Sequence, residues 1–210
     1  MIKMLSKDNS DKEHDLIKDY NKLEEKFKKK NELKIKFKKK KNKKFNYRDS
    51  LEKGESKIAV WGTGYIGSST MAFFSKKKIN CLGFDIDKKK VDTINSGYFP
   101  IKEIKNWFGF GIKRLVKQNY LKATNDHNTF NDNSFSVHFI AIPTEKNGKP
   151  FFEILFNVLK KLVIIIKKKN KIKPVIIIES TLAPTTSQEK ILPFFKKNNL
   201  IPGRDFIYGV

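Results

Sequence analysis

Three glycines follow directly on a short apolar run in the stretch KIAVWGTGYIGSST, residues 57–70, and this limits the chain more than any other part of it. Ile58, Ala59 and Val60 have the character of a buried strand. Gly62 permits a tight turn out of that strand. Gly64 has no Cβ to hold a ligand away from the backbone, and Gly67 lets the following helix lie close to the strand. Tyr65 and Ile66, between the second and third glycines, belong to the same cofactor-binding turn. The helix that starts there offers unpaired N–H groups and a partial positive charge, which suit a pyrophosphate.

A second strand, INCLGFDID, ends in Asp85, 18 residues after Gly67. An acidic residue about 20 residues on bonds the ribose hydroxyls of a dinucleotide. It also repels a 2′-phosphate, so the pattern favours NAD over NADP. Asp87 is expected to cap the next helix, and Lys90, one turn into it, is placed to cover the adenine.

From Lys57 onward short apolar strands alternate with helical segments. Strands are expected at 57–61, 80–85, 121–124, 136–142, 174–179 and 206–209. Helices are expected at 65–77, 88–96, 151–168 and 186–198, with an irregular helical stretch at 101–119. This alternation predicts an α/β, Rossmann-type doubly wound fold with a mostly parallel sheet. Residues 1–54 differ: Leu16 to Phe27 has helical spacing, and a basic linker is expected through KKKKNKKFNYRDSLEKGES, residues 38–56. The expected organisation is a lysine-rich helical extension over 1–54 and an NAD-binding domain over 55–210.

Composition closes off other readings. The net charge of +23 invites a nucleic-acid partner, but only Arg48, Arg114 and Arg204 among the 45 basic residues are arginine, the residue that reads bases and phosphates bidentately. The excess is spread along the chain, so no specific nucleic-acid partner is expected. A membrane span needs roughly 20 apolar residues, and the runs 162–166 and 175–178 are too short and lysine-flanked. The single cysteine, Cys81, lies within the second strand and reads as inert packing. His14, His127 and His138 form no cluster, so no metal site is expected, and His138 reads as a packed histidine. One cysteine and no signal peptide fit a cytoplasmic protein.

Three further stretches carry a resemblance. FIAIPTEKNGKP (139–150), VIIIESTLAPTTSQE (175–189) and TINSGYFPIKEI (93–104) resemble segments of the nucleotide-sugar dehydrogenases, the family of UDP-glucose and GDP-mannose dehydrogenases. With GTGYIG and GFDID they make five motifs in the family's order, over residues 57–210. The wording of EST and PTE is most similar to the branch acting on UDP-N-acetylhexosamines. The resemblance implies oxidation of a sugar C6 alcohol to a carboxylate in two NAD-dependent steps, with a UDP-sugar substrate, for surface polysaccharide. It implies that Gly62, Gly64, Gly67 and Asp85 hold NAD, and that Thr144, Ser180 and Thr181 lie beside the nicotinamide. Thr144 also faces a catalytic water, and Glu179 positions or deprotonates it. Glu103 is implied as a secondary cofactor or loop-ordering contact.

Two departures from the family pattern stand out. Thr185 occupies the place of a glycine. The family's catalytic cysteine, lysine and asparagine lie in a later domain and have no counterpart here. The resemblance therefore implies the NAD-binding part of a nucleotide-sugar 6-dehydrogenase, a fragment or truncated product inactive alone, whose full-length form is a homo-oligomer. Two alternatives stay open: a Rossmann dehydrogenase of the 6-phosphogluconate or 3-hydroxyacid type, and a non-catalytic NAD- or polyanion-binding remnant.

Overall fold

Strand β1 (Lys57–Trp61) forms the middle of a six-stranded sheet because almost every side chain on it is buried, on both faces. The computed structural model describes residues 25–26, 45–168 and 172–210, and Asn46–Val210 make one compact unit. In that unit β1 is followed by α2 (Tyr65–Lys76), β2 (Cys81–Phe84), α3 (Lys88–Asn95), α4 (Glu103–Phe108), α5 (Lys113–Lys117) and β3 (Leu121–Thr124). Next come β4 (Phe135–Ile140), a hairpin of β5 (Glu145–Lys146) and β6 (Lys149–Pro150), α6 (Glu153–Lys167), β7 (Val175–Ile178), α7 (Leu192–Lys197) and β8 (Ile207–Gly209). A short helix, α1 (Tyr47–Glu52), precedes β1.

The strand order is β3-β2-β1-β4-β7-β8, and every pairing is parallel. Ala59 and Trp61 pack with α6 and α7 on one face, where Leu155, Leu159, Leu162 and Phe195 are fully buried. Ile58 and Val60 pack with α2 and α3 on the other, against Met71, Ala72, Val91 and Ile94. Burial on both faces is why the strands read as continuous apolar runs. The chain moves outward from β1 to β3, then returns to the far side of β1 as β4. The connections leaving β1 and β4 therefore diverge, which opens a crevice beyond their C-terminal ends.

The structure revises several sequence expectations. Tyr47–Glu52 was expected within the basic linker and is helical. Asn46 caps it by accepting the N–H of Asp49 at 3.2 Å, Leu51 is buried, and the Tyr47 hydroxyl donates to the Lys173 carbonyl at 2.7 Å. One apolar anchor among many lysines gives no visible periodicity. The helix expected at Leu16–Phe27 lies outside the described residues except for Glu25 and Lys26, which are helical. The stretch 101–119 is two helices, because Gly109 ends α4 in the left-handed region at φ 64°. The segment 186–198 begins with a π-type turn, Ser187–Ile191, and becomes α-helical only around Pro193. Pro193 has no N–H to give an i→i−4 bond, and the wider turn sits just before it. The 145–150 hairpin was not foreseen; Asn147 and Gly148, at φ 54° and 73°, form its tight turn.

Candidate functional site

Each of the three glycines answers a different constraint. Gly62 has φ 91°, and a Cβ there would collide with the Ala141 carbonyl and come within 2.9 Å of Ile142 Cγ2. The turn is thus pressed against the segment leaving β4. A Cβ on Gly67 would strike the Gly62 carbonyl oxygen, so α2 rests directly on the turn. A Cβ on Gly64 would meet nothing within 4 Å. Packing does not require that glycine; it faces open space. It is also the N-cap of α2, and no side chain caps the helix. An uncapped helix N-terminus behind a bare backbone fits a pyrophosphate.

Asp85 sits at the end of β2, 7 % exposed. Its Oδ2 accepts the Thr63 N–H and the Thr63 hydroxyl, each at 2.9 Å, and its Oδ1 accepts the Asp87 N–H at 3.0 Å. Lys90 Nζ stands 3.8 Å from Oδ2, so Lys90 faces the carboxylate. Asp87 caps α3 as expected, accepting the Lys89 N–H at 2.9 Å.

Beyond β4 and β7 four polar side chains converge. The Thr144 hydroxyl donates to the Thr181 carbonyl at 2.5 Å. The Ser180 hydroxyl accepts the Ile142 N–H at 2.9 Å and donates to the Ile140 carbonyl at 3.3 Å, which ties the two strand ends together. Glu179 is half-buried, and its Oε2 accepts the Thr70 hydroxyl at 2.8 Å. Burial raises its pKa, and the Thr70 bond opposes this in part. Glu179 forms no ion pair with a lysine among the described residues.

These groups line two clefts with shared walls at Gly64, Ala141, Ile142 and Pro143. One, of about 430 Å³, is bordered by Tyr65, Ile66, Thr144, Glu179, Ser180 and Thr181. The other, of about 220 Å³, is bordered by Trp61, Phe84, Asp85, Ile86, Lys90 and Val158. The carboxylate of Asp85 thus lies on one side of Gly64 and the Thr144–Glu179 group on the other. The Tyr65 ring rests on Trp107 at 4.9 Å between centroids. A larger depression of about 1070 Å³ lies against α4, lined by Lys102, Lys105 and Lys113, but it holds neither a strand end nor the glycine turn. Glu103 is exposed and borders neither cleft. Cys81 is buried in β2, and burial pushes its thiol up to about 12. His138 is fully buried, with Nδ1 accepting the Trp61 indole N–H at 3.3 Å, and burial lowers its pKa to about 4. No three His, Cys, Asp or Glu side chains cluster to hold a metal among the described residues. No helix among them is long and apolar enough to cross a membrane.

The sequence did not single out Thr63 or Gly83. A Cβ on Gly83 would come within 2.7 Å of Thr63 Cγ2 and 2.5 Å of Met71 Sδ. The glycine of GFD therefore makes room for Thr63. Its place two residues before Asp85 was the available signal.

The profile of the UDP-glucose/GDP-mannose dehydrogenase family, NAD binding domain, matches residues 56–206. The chain belongs to this family. A UDP-N-acetyl-D-mannosamine dehydrogenase of Campylobacter jejuni is 31 % identical over 137 residues, which are 64 % of this chain and 31 % of that protein. One from Methanococcus aeolicus is 31 % identical over 159 residues, 71 % of this chain and 32 % of the relative. The GDP-mannose 6-dehydrogenase of Pseudomonas syringae pv. tomato is 25 % identical over 67 % of this chain and 32 % of its own length. Among solved structures, a ternary complex of GDP-mannose dehydrogenase from Pseudomonas aeruginosa superposes with TM-score 0.62 at 23 % identity, over 72 % of this chain and 35 % of that one. The UDP-D-ManNAc dehydrogenase of Pyrococcus horikoshii gives 0.60 at 26 %, over the same shares. The match thus spans about a third of each family member compared. It covers the NAD-binding domain, so the chain's cofactor is NAD.

Proposed function

We propose that residues 55–210 are the cofactor half of a nucleotide-sugar 6-dehydrogenase. The enzyme would oxidise the C6 alcohol of a UDP-sugar, UDP-glucose or a UDP-N-acetylhexosamine, to the uronic acid in two NAD-dependent steps. One observation carries the reading: the clefts flank Gly64, with the Asp85 carboxylate in one and the polar side chains of Thr144, Glu179, Ser180 and Thr181 in the other. Bound NAD supplies the hydride acceptor. The open backbone at Gly64 and the N-terminus of α2 take its phosphates, with Tyr65 and Ile66 as the wall. Asp85 takes the adenosine ribose, and Lys90 covers that end. Thr144, Ser180 and Thr181 border the nicotinamide end. Glu179, with its pKa raised by burial, holds and deprotonates a water there.

Cys81, the one cysteine of the sequence, is buried in a strand with its thiol pKa pushed up to about 12. The nucleophilic thiol and the sugar contacts then come from outside residues 55–210. The product suits surface polysaccharide synthesis in the cytoplasm, and the whole enzyme is a homo-oligomer.

The reading predicts that the purified 210-residue chain binds NADH in a fluorescence titration. It also predicts no absorbance gain at 340 nm with NAD and UDP-glucose, UDP-N-acetylmannosamine or GDP-mannose. Steady turnover of any of these by the chain alone would refute this division of labour.

A further inference from the structure

We infer that Thr63 is the positioning residue that fixes the aim of Asp85, and through it the preference of this chain for NAD over the 2′-phosphorylated cofactor. The inference rests on NAD occupying the crevice.

Thr63 lies between the first two glycines. Its place in the turn requires nothing of its side chain, since the backbone N–H alone already reaches Asp85. Yet the side chain is fully buried, and its hydroxyl makes a second bond to the same oxygen, Oδ2, at 2.9 Å. A carboxylate oxygen has about two acceptor directions, so Thr63 fills those of Oδ2. The Asp87 N–H takes one on Oδ1, at 3.0 Å. One direction on Oδ1 is left, and a ribose hydroxyl would use it.

Thr63 itself has little freedom. Its carbonyl accepts the Ser68 hydroxyl at 2.7 Å, and its methyl group occupies the space left by the missing side chain of Gly83. Ser68, Thr63, Asp85 and the Asp87 N–H form one connected set, anchored in α2 at one end and at the start of α3 at the other. Lys90 is the neighbouring cation, but it is 40 % exposed and 3.8 Å away, so screening weakens its hold on Asp85.

Two bonds on Oδ2 and one on Oδ1 together hold the carboxylate against rotation. A clamped Asp85 presents its free acceptor direction to a ribose hydroxyl without reorganising. It also cannot turn from a 2′-phosphate, so that ligand meets the full negative charge. Without the hydroxyl, one backbone N–H bond remains on each oxygen, so the carboxylate is held less firmly and can shift toward Lys90. The ribose contact weakens, and the phosphate is repelled less.

The test is a pair of fluorescence titrations, NADH and NADPH, on the full chain and on Thr63→Val, which keeps shape and loses the hydroxyl. Thr63→Ser keeps the hydroxyl. The expected result is a loss of about tenfold in NADH affinity for Thr63→Val, the scale of one charge-assisted hydrogen bond. NADPH affinity should change little, and Thr63→Ser should keep the original ratio. General loosening of the turn would weaken both cofactors together. A Thr63→Val chain with an unchanged NADH-to-NADPH ratio therefore overturns the inference, whether affinities fall or not. If the valine variant does not fold, Thr63→Ala gives the same comparison, because the backbone donor remains. Absence of NADH binding by the unmodified chain is a distinct result: it refutes NAD occupancy, and the role of Thr63 falls with it.

Discussion

Replacing Thr185 by glycine should stabilise this protein although it removes a side chain. Thr185 has φ 66°, the left-handed region, in the position where the family pattern has glycine. A β-branched residue is a true outlier there, and the Cβ clash in that region costs about 1–2 kcal/mol. The side chain is exposed, so its removal gives up little packing. The backbone around it is committed: the Thr186 N–H donates to the Ala183 carbonyl at 3.2 Å, and the Glu189 N–H to the Thr185 carbonyl at 2.9 Å. The conformation is therefore kept in the variant. Glycine gives the unfolded chain more freedom, an opposing cost of roughly 0.5–1 kcal/mol. The net gain is about 0.5–1 kcal/mol, or roughly +1 to +4 °C in Tm for a domain of this size. Thermal melts by circular dichroism, supported by urea titration, measure it. Thr185→Ala is the deciding control. It removes the branching but keeps the Cβ, so it should gain clearly less than glycine. A lower Tm for Thr185→Gly, or an equal gain for alanine, would refute the argument from backbone geometry.

Other substitutions separate binding from folding. Gly64→Ala adds a Cβ into open space, so stability in a urea titration should stay within about ±0.5 kcal/mol, as is typical of surface changes, while NADH affinity in a fluorescence titration falls. Gly67→Ala drives a Cβ into the Gly62 carbonyl and should cost about 1–3 kcal/mol in a urea titration; matched stabilities for the two variants would contradict the assigned roles. His138 has a folded pKa of about 4 against 6.5, so it contributes stability above pH 6.5 that is lost as the pH falls toward 4, on the order of 3 kcal/mol. His138→Gln should flatten that acid limb in denaturant titrations from pH 7 to 4. Glu179 behaves oppositely. Its pKa is raised, so its contribution is present at low pH and lost as the pH rises through that value. Glu179→Gln should gain on the parent chain with rising pH, and parallel stability curves would show the carboxylate to be solvated.

How far the residues alone revealed this protein differs from element to element. The central sheet was legible, because strands covered by helices on both faces leave short apolar runs such as KIAVW and VIII, and their alternation with longer helical segments marks them as strands. The candidate site was legible in its backbone, where a residue is fixed by local geometry. Gly62 and Gly67 sit where a Cβ would meet backbone, and Asp87 caps its own helix. Helix α1 was hidden because its stability comes from Leu51 packing and from the Tyr47 bond to Lys173, a partner 126 residues away.

What the sequence determined is where the chain turns and what it buries: the glycine turn, where Gly62 and Gly67 leave no room for a Cβ, the place of a carboxylate just after β2, and the apolar runs. What only the tertiary structure decided is which polar side chains face one another. Ser180 ties β7 to β4 through Ile142, Glu179 meets Thr70 on α2 across 109 residues, and Thr63 clamps Asp85 in the space Gly83 leaves. Such contacts depend on the parallel register of strands distant in the chain. Hydrogen bonds between them leave no period or spacing in the order of residues, because their geometry exists only once the sheet has formed.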